Sequence, residues 1–216
     1  RRHTTLCKSK KTKIRIIRNN LITKYLTNMR NLKTIAVALV ALVSFTANAQ
    51  TKKINVSKSG IVWTGKKVTG SHTGTINLQD GALVFKGKVL KGGTFTVDMT
   101  TINTTDLKAG EGKENLDGHL KADDFFGVEK HKTAKLVFTN ISGKGKGLYT
   151  VTADLTIKGI TKPITFDITV KGNTASTTLK VDRTKYDIKY GSGSFFSDLG
   201  DKTINDEFEL KVNLAW

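Results

Sequence analysis

From Gln50 to the C-terminus the chain alternates apolar and polar residues. Phe208-Glu-Leu210-Lys-Val212-Asn-Leu214-Ala-Trp216 does so without a break, as do Ile164 to Val170 and Val151 to Ile157. Phe95 to Met99 and Thr75 to Leu78 repeat the pattern. A period of two gives each strand one apolar and one polar face, and the abundant threonine suits half-exposed strands. Glycine-bearing segments at 79–81, 91–93, 143–147 and 171–173 read as the turns between them. The only proline, Pro163, falls at a strand start, where its missing N–H is tolerated. Many short strands separated by glycine turns predict an all-β antiparallel sandwich or barrel in one domain.

Segment 106–126, DLKAGEGKENLDGHLKADDFF, lacks alternation. Leu116, Leu120 and the Phe125-Phe126 pair fit one side of one or two short helical turns. Connections this long in a compact domain are often functional lids. Alternation leaves open which way the apolar face points: inward in a soluble barrel, toward lipid in an outer-membrane barrel. Membrane strands need about 9–11 residues and aromatic girdles at both interfaces. Most runs here are shorter, and the chain has only two Trp and four Tyr. The inward arrangement is favoured, with a small outer-membrane β-barrel as an alternative.

The front of the chain reads differently. Residues 29–50, MRNLKTIAVALVALVSFTANAQ, combine a basic start, an apolar run from Ile35 to Phe45 and a small-x-small site at Ala47-Asn48-Ala49. That is the layout of a cleavable signal peptide over 29–49, cut after Ala49, and predicts a periplasmic or secreted protein. The apolar run is shorter than the roughly 20 residues a membrane-spanning helix needs. Residues 1–28 carry no acid and no periodicity, and are expected to be an upstream extension in front of the initiator-like Met29. The formal net charge of +18 is concentrated here: residues 1–49 hold 11 Lys/Arg and no acid, leaving +7 from Gln50 onward. That balance is compatible with transient contact to an anionic membrane surface and does not call for nucleic acid. The single cysteine, Cys7, precedes the barrel segment, so no disulfide, zinc-thiolate or cysteine nucleophile is expected within 50–216.

Candidate chemistry is sparse. His72, His119 and His131 lack metal-ligand spacing, and the acids around the last two fit a solvated loop. Gly191-Ser192-Gly193-Ser194 is not in a nucleophile-elbow frame. No phosphate-cradling loop precedes a helix. The expectation is therefore no catalytic residues, no metal and no cofactor. Phe85, Phe95, Phe138, Phe166 and Phe208 fall on the apolar phase of their strands. Small barrels either fill with side chains or hold one ligand, and by phase alone an ordinary core is the simpler reading of these phenylalanines.

Five motifs stand in order: KVTGSHTGTI (67–76), HLKADDFFGVEKHKTAKLVFTN (119–140), ADLTIKGITKPITFDI (153–168), VDRTKYDIKYGSG (181–193) and FFSDLGDKTINDEFELKVNL (195–214). Together they resemble the YceI-like family of polyisoprenoid-binding periplasmic proteins across 50–216. His131-Lys132-Thr133 departs from the family's tyrosine–proline pair after the lid. The resemblance implies an eight-stranded antiparallel lipocalin-like barrel with a short helical or loop lid. It implies an apolar cavity for the isoprenoid tail of a quinone or polyprenyl lipid, and no catalysis. The residues it points to are Phe85, Phe95, Val97, Phe125, Phe126, Phe138, Leu155, Ile157, Phe166, Phe195, Phe196 and Phe208. Phe125 and Phe126 are expected to close on the cavity while Asp123, Asp124, Glu129 and Lys130 face water. His72, His119 and Arg183 are candidates for polar head-group contact; Arg183 is equally a candidate for pairing with a carboxylate. A structural or stress-response barrel with a filled core is the other alternative.

Overall fold

The computed structural model describes residues 49–216; the expected signal peptide, save Ala49, and segment 1–28 lie outside the described residues. Nine antiparallel strands form a single sheet: β1 (Ala49–Lys53), β2 (Gly60–Lys67), β3 (Gly70–Lys86), β4 (Val89–Thr104), β5 (Thr133–Gly145), β6 (Leu148–Ile157), β7 (Ile160–Lys171), β8 (Thr174–Asp182) and β9 (Glu207–Ala215). One helix, α1 (Lys113–Lys121), lies between β4 and β5. The strand order is β1-β3-β2-β9-β8-β7-β6-β5-β4, and β3 pairing with β4 closes the ring. β1 and β2 share one edge of β3, against 82–86 and 70–76 respectively, with a 3-10 turn at Val56–Lys58 between them. They occupy one position in the wall, so the barrel is eight-stranded.

Alternation is carried inward. In β6, Tyr149, Val151, Ala153, Leu155 and Ile157 are buried, while in β7 Lys162, Thr165, Asp167 and Thr169 are exposed. A polar outer wall is the opposite of the apolar band that a lipid-facing barrel presents. Strand length does not make this distinction, contrary to expectation: β3 has 17 residues and β4 has 16. The sequence pattern breaks them up because bulges between Thr75/Asn77, Leu78/Asp80 and Val84/Phe85 shift the phase.

Two expected turns are also absent. Residues 79–81 and 91–93 lie inside β3 and β4, and the chain reverses at Gly87-Lys88 instead. The glycines mark close packing. A Cβ on Gly81 would sit 2.7 Å from the Phe95 ring, and one on Gly93 would sit 2.7 Å from the Phe138 ring. Missing side chains on one strand therefore admit rings from another. Phe95 and Phe138 pack with centroids 5.6 Å apart, Phe138 and Phe166 at 6.0 Å, and Phe85 and Trp216 at 5.6 Å. With Leu83, Leu90, Val151 and Ile168, these rings form a solid core at one end of the barrel.

The wall is looser between β7 and β8. They pair only at 169–171 with 174–176, and the 3-10 turn Arg183–Tyr186 then lies against β7. Pro163 sits in this stretch of β7 without a β8 partner.

Gly93→Ala should destabilise by about 1–3 kcal/mol through overpacking against Phe138. Gly92→Ala, whose Cβ would meet nothing closer than Val84 at 3.4 Å, should be near neutral. Urea melts compare the two, and equal midpoints would refute the ring-against-glycine packing.

Candidate functional site

The opposite end of the barrel is hollow. A cavity of about 140 Å³ is lined by Ile61 and Trp63 of β2, Ile76 of β3, Val97, Met99 and Ile102 of β4, Ala134 of β5, Leu155 and Ile157 of β6, and Phe208 and Leu210 of β9. Gly65, Leu120, Phe125, Phe126, Arg183, Ile204 and Asn205 complete it. Inward-phase side chains are mostly aliphatic here, with Trp63 and Phe208 as the ring-bearing exceptions, whereas Phe85, Phe95, Phe138 and Phe166 fill the other end.

The lid is built from the segment without alternation. Leu116 and Leu120, four apart, give α1 an inward stripe. Ala122 is extended and ends the helix, and Gly127, at φ 55°, allows a tight return toward β5. Phe125 and Phe126 stack edge-on at 5.2 Å, and Phe126 meets Phe208 edge-on at 6.1 Å. Phe125 is buried and Phe126 half-buried, while Asp123, Asp124, Glu129 and Lys130 are exposed. α1 is tethered by Asp117. Its Oδ1 accepts from the Thr104 N–H at 2.7 Å and its Oδ2 from Lys113 Nζ at 2.9 Å. Burial raises the Asp117 pKa, but the bonds from Thr104 and Lys113 outweigh it and hold the group below the usual aspartate value.

Arg183 is buried beside the cavity, and its N–H groups are engaged. Nε donates to Asn205 O at 3.0 Å, Nη1 to Ile188 O and Tyr190 O at 2.8 Å each, and Nη2 to Ile204 O at 3.0 Å. Asp206 Oδ1 lies 3.6 Å away. Burial lowers the guanidinium pKa while Asp206 and Asp182 oppose the shift; arginine remains charged in such settings. Asp206 is raised by burial and lowered more by Ser192, Ser194 and Arg183. Four carbonyls from two loops thus converge on one planar cation, which fixes both loops at the mouth. The ring of Phe125 lies 5.7 Å from the guanidinium carbon.

Of the residues singled out from sequence, Val97, Leu155, Ile157, Phe125, Phe126, Phe208 and Arg183 come together on the cavity. Phe85, Phe95, Phe138 and Phe166 belong to the solid end. Phe195 and Phe196 line neither; both are exposed. His72 Nδ1 is 2.9 Å from Asp106 Oδ2, and Asp106 also accepts from the Thr73 N–H, which joins the start of β3 to the loop after β4. His119 packs edge-on against Phe125 at 5.5 Å and Tyr190 at 4.4 Å, with Asp124 Oδ2 at 3.6 Å. Neither histidine lines the cavity. Sequence reading missed Ile61, Trp63, Met99 and Leu210 as lining residues. Leu210 belongs to the alternating run 208–216, and its phase matches that of Phe208; the pattern carries no information on its height in the barrel.

A closed antiparallel barrel, packed at one end and hollow at the other beneath a short helix, has the architecture of a lipocalin-like binding protein. Residues 51–216 match the family model of the YceI-like domain, and the chain belongs to the YceI-like family. The UPF0312 protein of Shewanella denitrificans is 36% identical over 92 residues, 43% of this chain and 46% of that protein. The UPF0312 protein of Serratia proteamaculans is 40% identical over 65 residues, 30% of this chain and 32% of that protein. The chain thus spans less than half the length of these curated relatives. Among solved structures, Burkholderia cenocepacia BcnA aligns with a TM-score of 0.59 at 21% identity, covering 76% of this chain and 99% of that one. A polyisoprenoid binding domain from Saccharophagus degradans, implicated in plant cell wall breakdown, aligns with a TM-score of 0.52 at 12% identity, covering 77% and 97%. At these identities the likeness is one of fold.

Two tests follow from the site. Arg183→Met leaves four carbonyls without their donor and should cost about 3–5 kcal/mol in a urea melt. Unchanged stability with lost ligand binding would instead make Arg183 a head-group contact. Asp117 has a lowered folded pKa, so its stabilisation is present above the unfolded value of about 3.9 and is lost as pH falls through the folded pKa. Amide protection factors of α1, taken relative to the intrinsic rate at each pH, should therefore fall in acid before those of β6, and in Asp117→Ala they should already be reduced at neutral pH.

Proposed function

We propose that this protein is a periplasmic or secreted carrier or store for an isoprenoid lipid of the quinone or polyprenyl type. The observation that carries the reading is the hydrocarbon cavity under an aromatic lid, whose one charged lining group, Arg183, is engaged by main-chain carbonyls. Such a site favours a tail with no polar atoms and leaves any head group at the mouth. Family membership and the polyisoprenoid binding described for the Saccharophagus neighbour support the same ligand class. The signal-peptide layout at 29–49 supports export. Binding requires burial alone, worth about 0.8 kcal/mol per methylene before ordering costs.

Size makes the lid part of the mechanism. The cavity of about 140 Å³ is close to the roughly 150 Å³ void that holds a benzene. A tail of several isoprene units therefore enters only if Phe126, the half-buried member of the plug, swings out and α1 shifts with it. Phe208 and Leu155 then become tail contacts, while the ring-filled end stays closed.

Native mass spectrometry of the exported protein, purified from a bacterial periplasm without detergent, tests this. The expected result is a stoichiometric adduct with an isoprenoid mass series, lost in the double variant Phe125→Ala with Phe126→Ala. A clean ligand-free mass that also rejects added quinones and polyprenyl phosphates would favour the filled-core structural barrel.

A further inference from the structure

Four large apolar residues are left open to water near the cavity mouth. Tyr190, Phe195 and Phe196 are 47%, 50% and 51% exposed, and Val68 is 63% exposed. Scattered singly they would need no explanation, but a cluster of aromatics does. The backbone draws them together. Phe195 and Phe196 N–H both donate to Ser192 O, at 3.2 and 3.0 Å. Ser192 is bridged to Ile204, and Ile204 to Lys67. The Val68 N–H donates to Thr203 O at 3.1 Å. Ile204 lines the cavity, and the Tyr190 ring meets His119 of α1. The cluster is thus the rim of the mouth, between the lid and the β2–β3 turn.

Its neighbours are basic. Lys66, Lys67 and Lys202 are exposed beside it. Lys189 reaches to 5.1 Å from the Phe195 ring centroid while pairing with Asp187 at 2.9 Å. From Gln50 onward the chain carries +7. Asp198 and Asp201 lie in the same loop and temper the attraction.

We propose that this rim is the surface by which the barrel docks on an anionic lipid bilayer. Aromatic rings settle at the level of lipid head groups, and lysines beside them are drawn to acidic lipids. A few rings plus a few lysines give reversible rather than permanent attachment, which suits a protein that must leave with cargo. The proposal rests on the carrier reading for its purpose: a mouth pressed to the bilayer lets a tail slide between membrane and cavity without crossing water, where each exposed methylene is unfavourable. The rings that do not line the cavity thereby acquire a role the cavity cannot explain.

The test is co-sedimentation of the exported protein with vesicles of phosphatidylcholine alone or mixed with phosphatidylglycerol, at low and high salt. Binding is expected to the mixed vesicles and to weaken with salt. Phe195→Ser with Phe196→Ser should reduce the bound fraction about tenfold, with thermal melting unchanged. Lys66→Glu with Lys67→Glu should abolish the preference for phosphatidylglycerol. Wild-type protein that stays in the supernatant, or a phenylalanine double variant that sediments equally, overturns the proposal. So does a concentration-dependent dimer abolished by the same double variant, which would give the rim to a second copy. Extracting lipid from the same preparations separates the two ideas. Empty protein that still docks counts against carriage alone, and loaded protein that does not dock counts against docking alone.

Discussion

A sheet closed around eight positions encloses an interior that inward side chains must fill, and here they fill it unevenly. At one end Phe95, Phe138 and Phe166 interlock because Gly81 and Gly93 withdraw from their path. At the other end the inward positions are mainly aliphatic, among them Ile61, Val97, Ala134 and Ile157, and a cavity remains between them and the rings of Trp63 and Phe208. The same alternation thus produces a core and a cavity, and the distribution of rings along the axis decides which is where.

The mouth has a different constraint. Its loops run from 183 to 206 with little sheet pairing of their own, and their carbonyls need donors away from water. Arg183 supplies them from one side chain, and Asp206 balances its charge. A guanidinium suits this because its donors lie in one plane and spread over several acceptors. α1 is attached to the end of β4 by Asp117, which accepts from the Thr104 N–H, and by Lys113, whose Nζ donates to Asn103 Oδ1 and Thr104 O, with Leu120 buried beneath; the Phe125-Phe126 pair closes the gap that remains.

The structure divides along the barrel: rings pack one end, an apolar cavity lies at the other beneath α1 and the Phe125-Phe126 pair, and Tyr190, Phe195 and Phe196 are exposed with lysines beside them. Segment 119–131, with its histidines and acids, belongs to the cover: Phe125 and Phe126 point in, the acids point out, and Asp123 pairs with Lys130. Its polar residues serve the loop's solubility and shape.

Much of this was legible in the chain. Alternation marked strands and the residues that share their apolar face, because a period of two is a property of local backbone geometry. Loss of alternation marked the lid, and the ordered motifs marked the family. Three things were not legible. Gly81 and Gly93 read as turns because a glycine in sequence shows freedom, and only the opposing ring shows that its role is space. Phe85, Phe95, Phe138 and Phe166 read alike with Phe208, because phase tells which face a residue occupies and nothing of its height in the barrel. Phe195 and Phe196 read as cavity residues through the family resemblance, which carries residue types and their order but not which way a loop ring faces. The sequence by itself determined the alternating segments and the segment between strands that lacks alternation, since both are local patterns; the tertiary structure alone decided that the apolar face points inward, which end is filled, which is hollow and which rings meet water, since those depend on closure of the sheet and on register between strands distant in the chain.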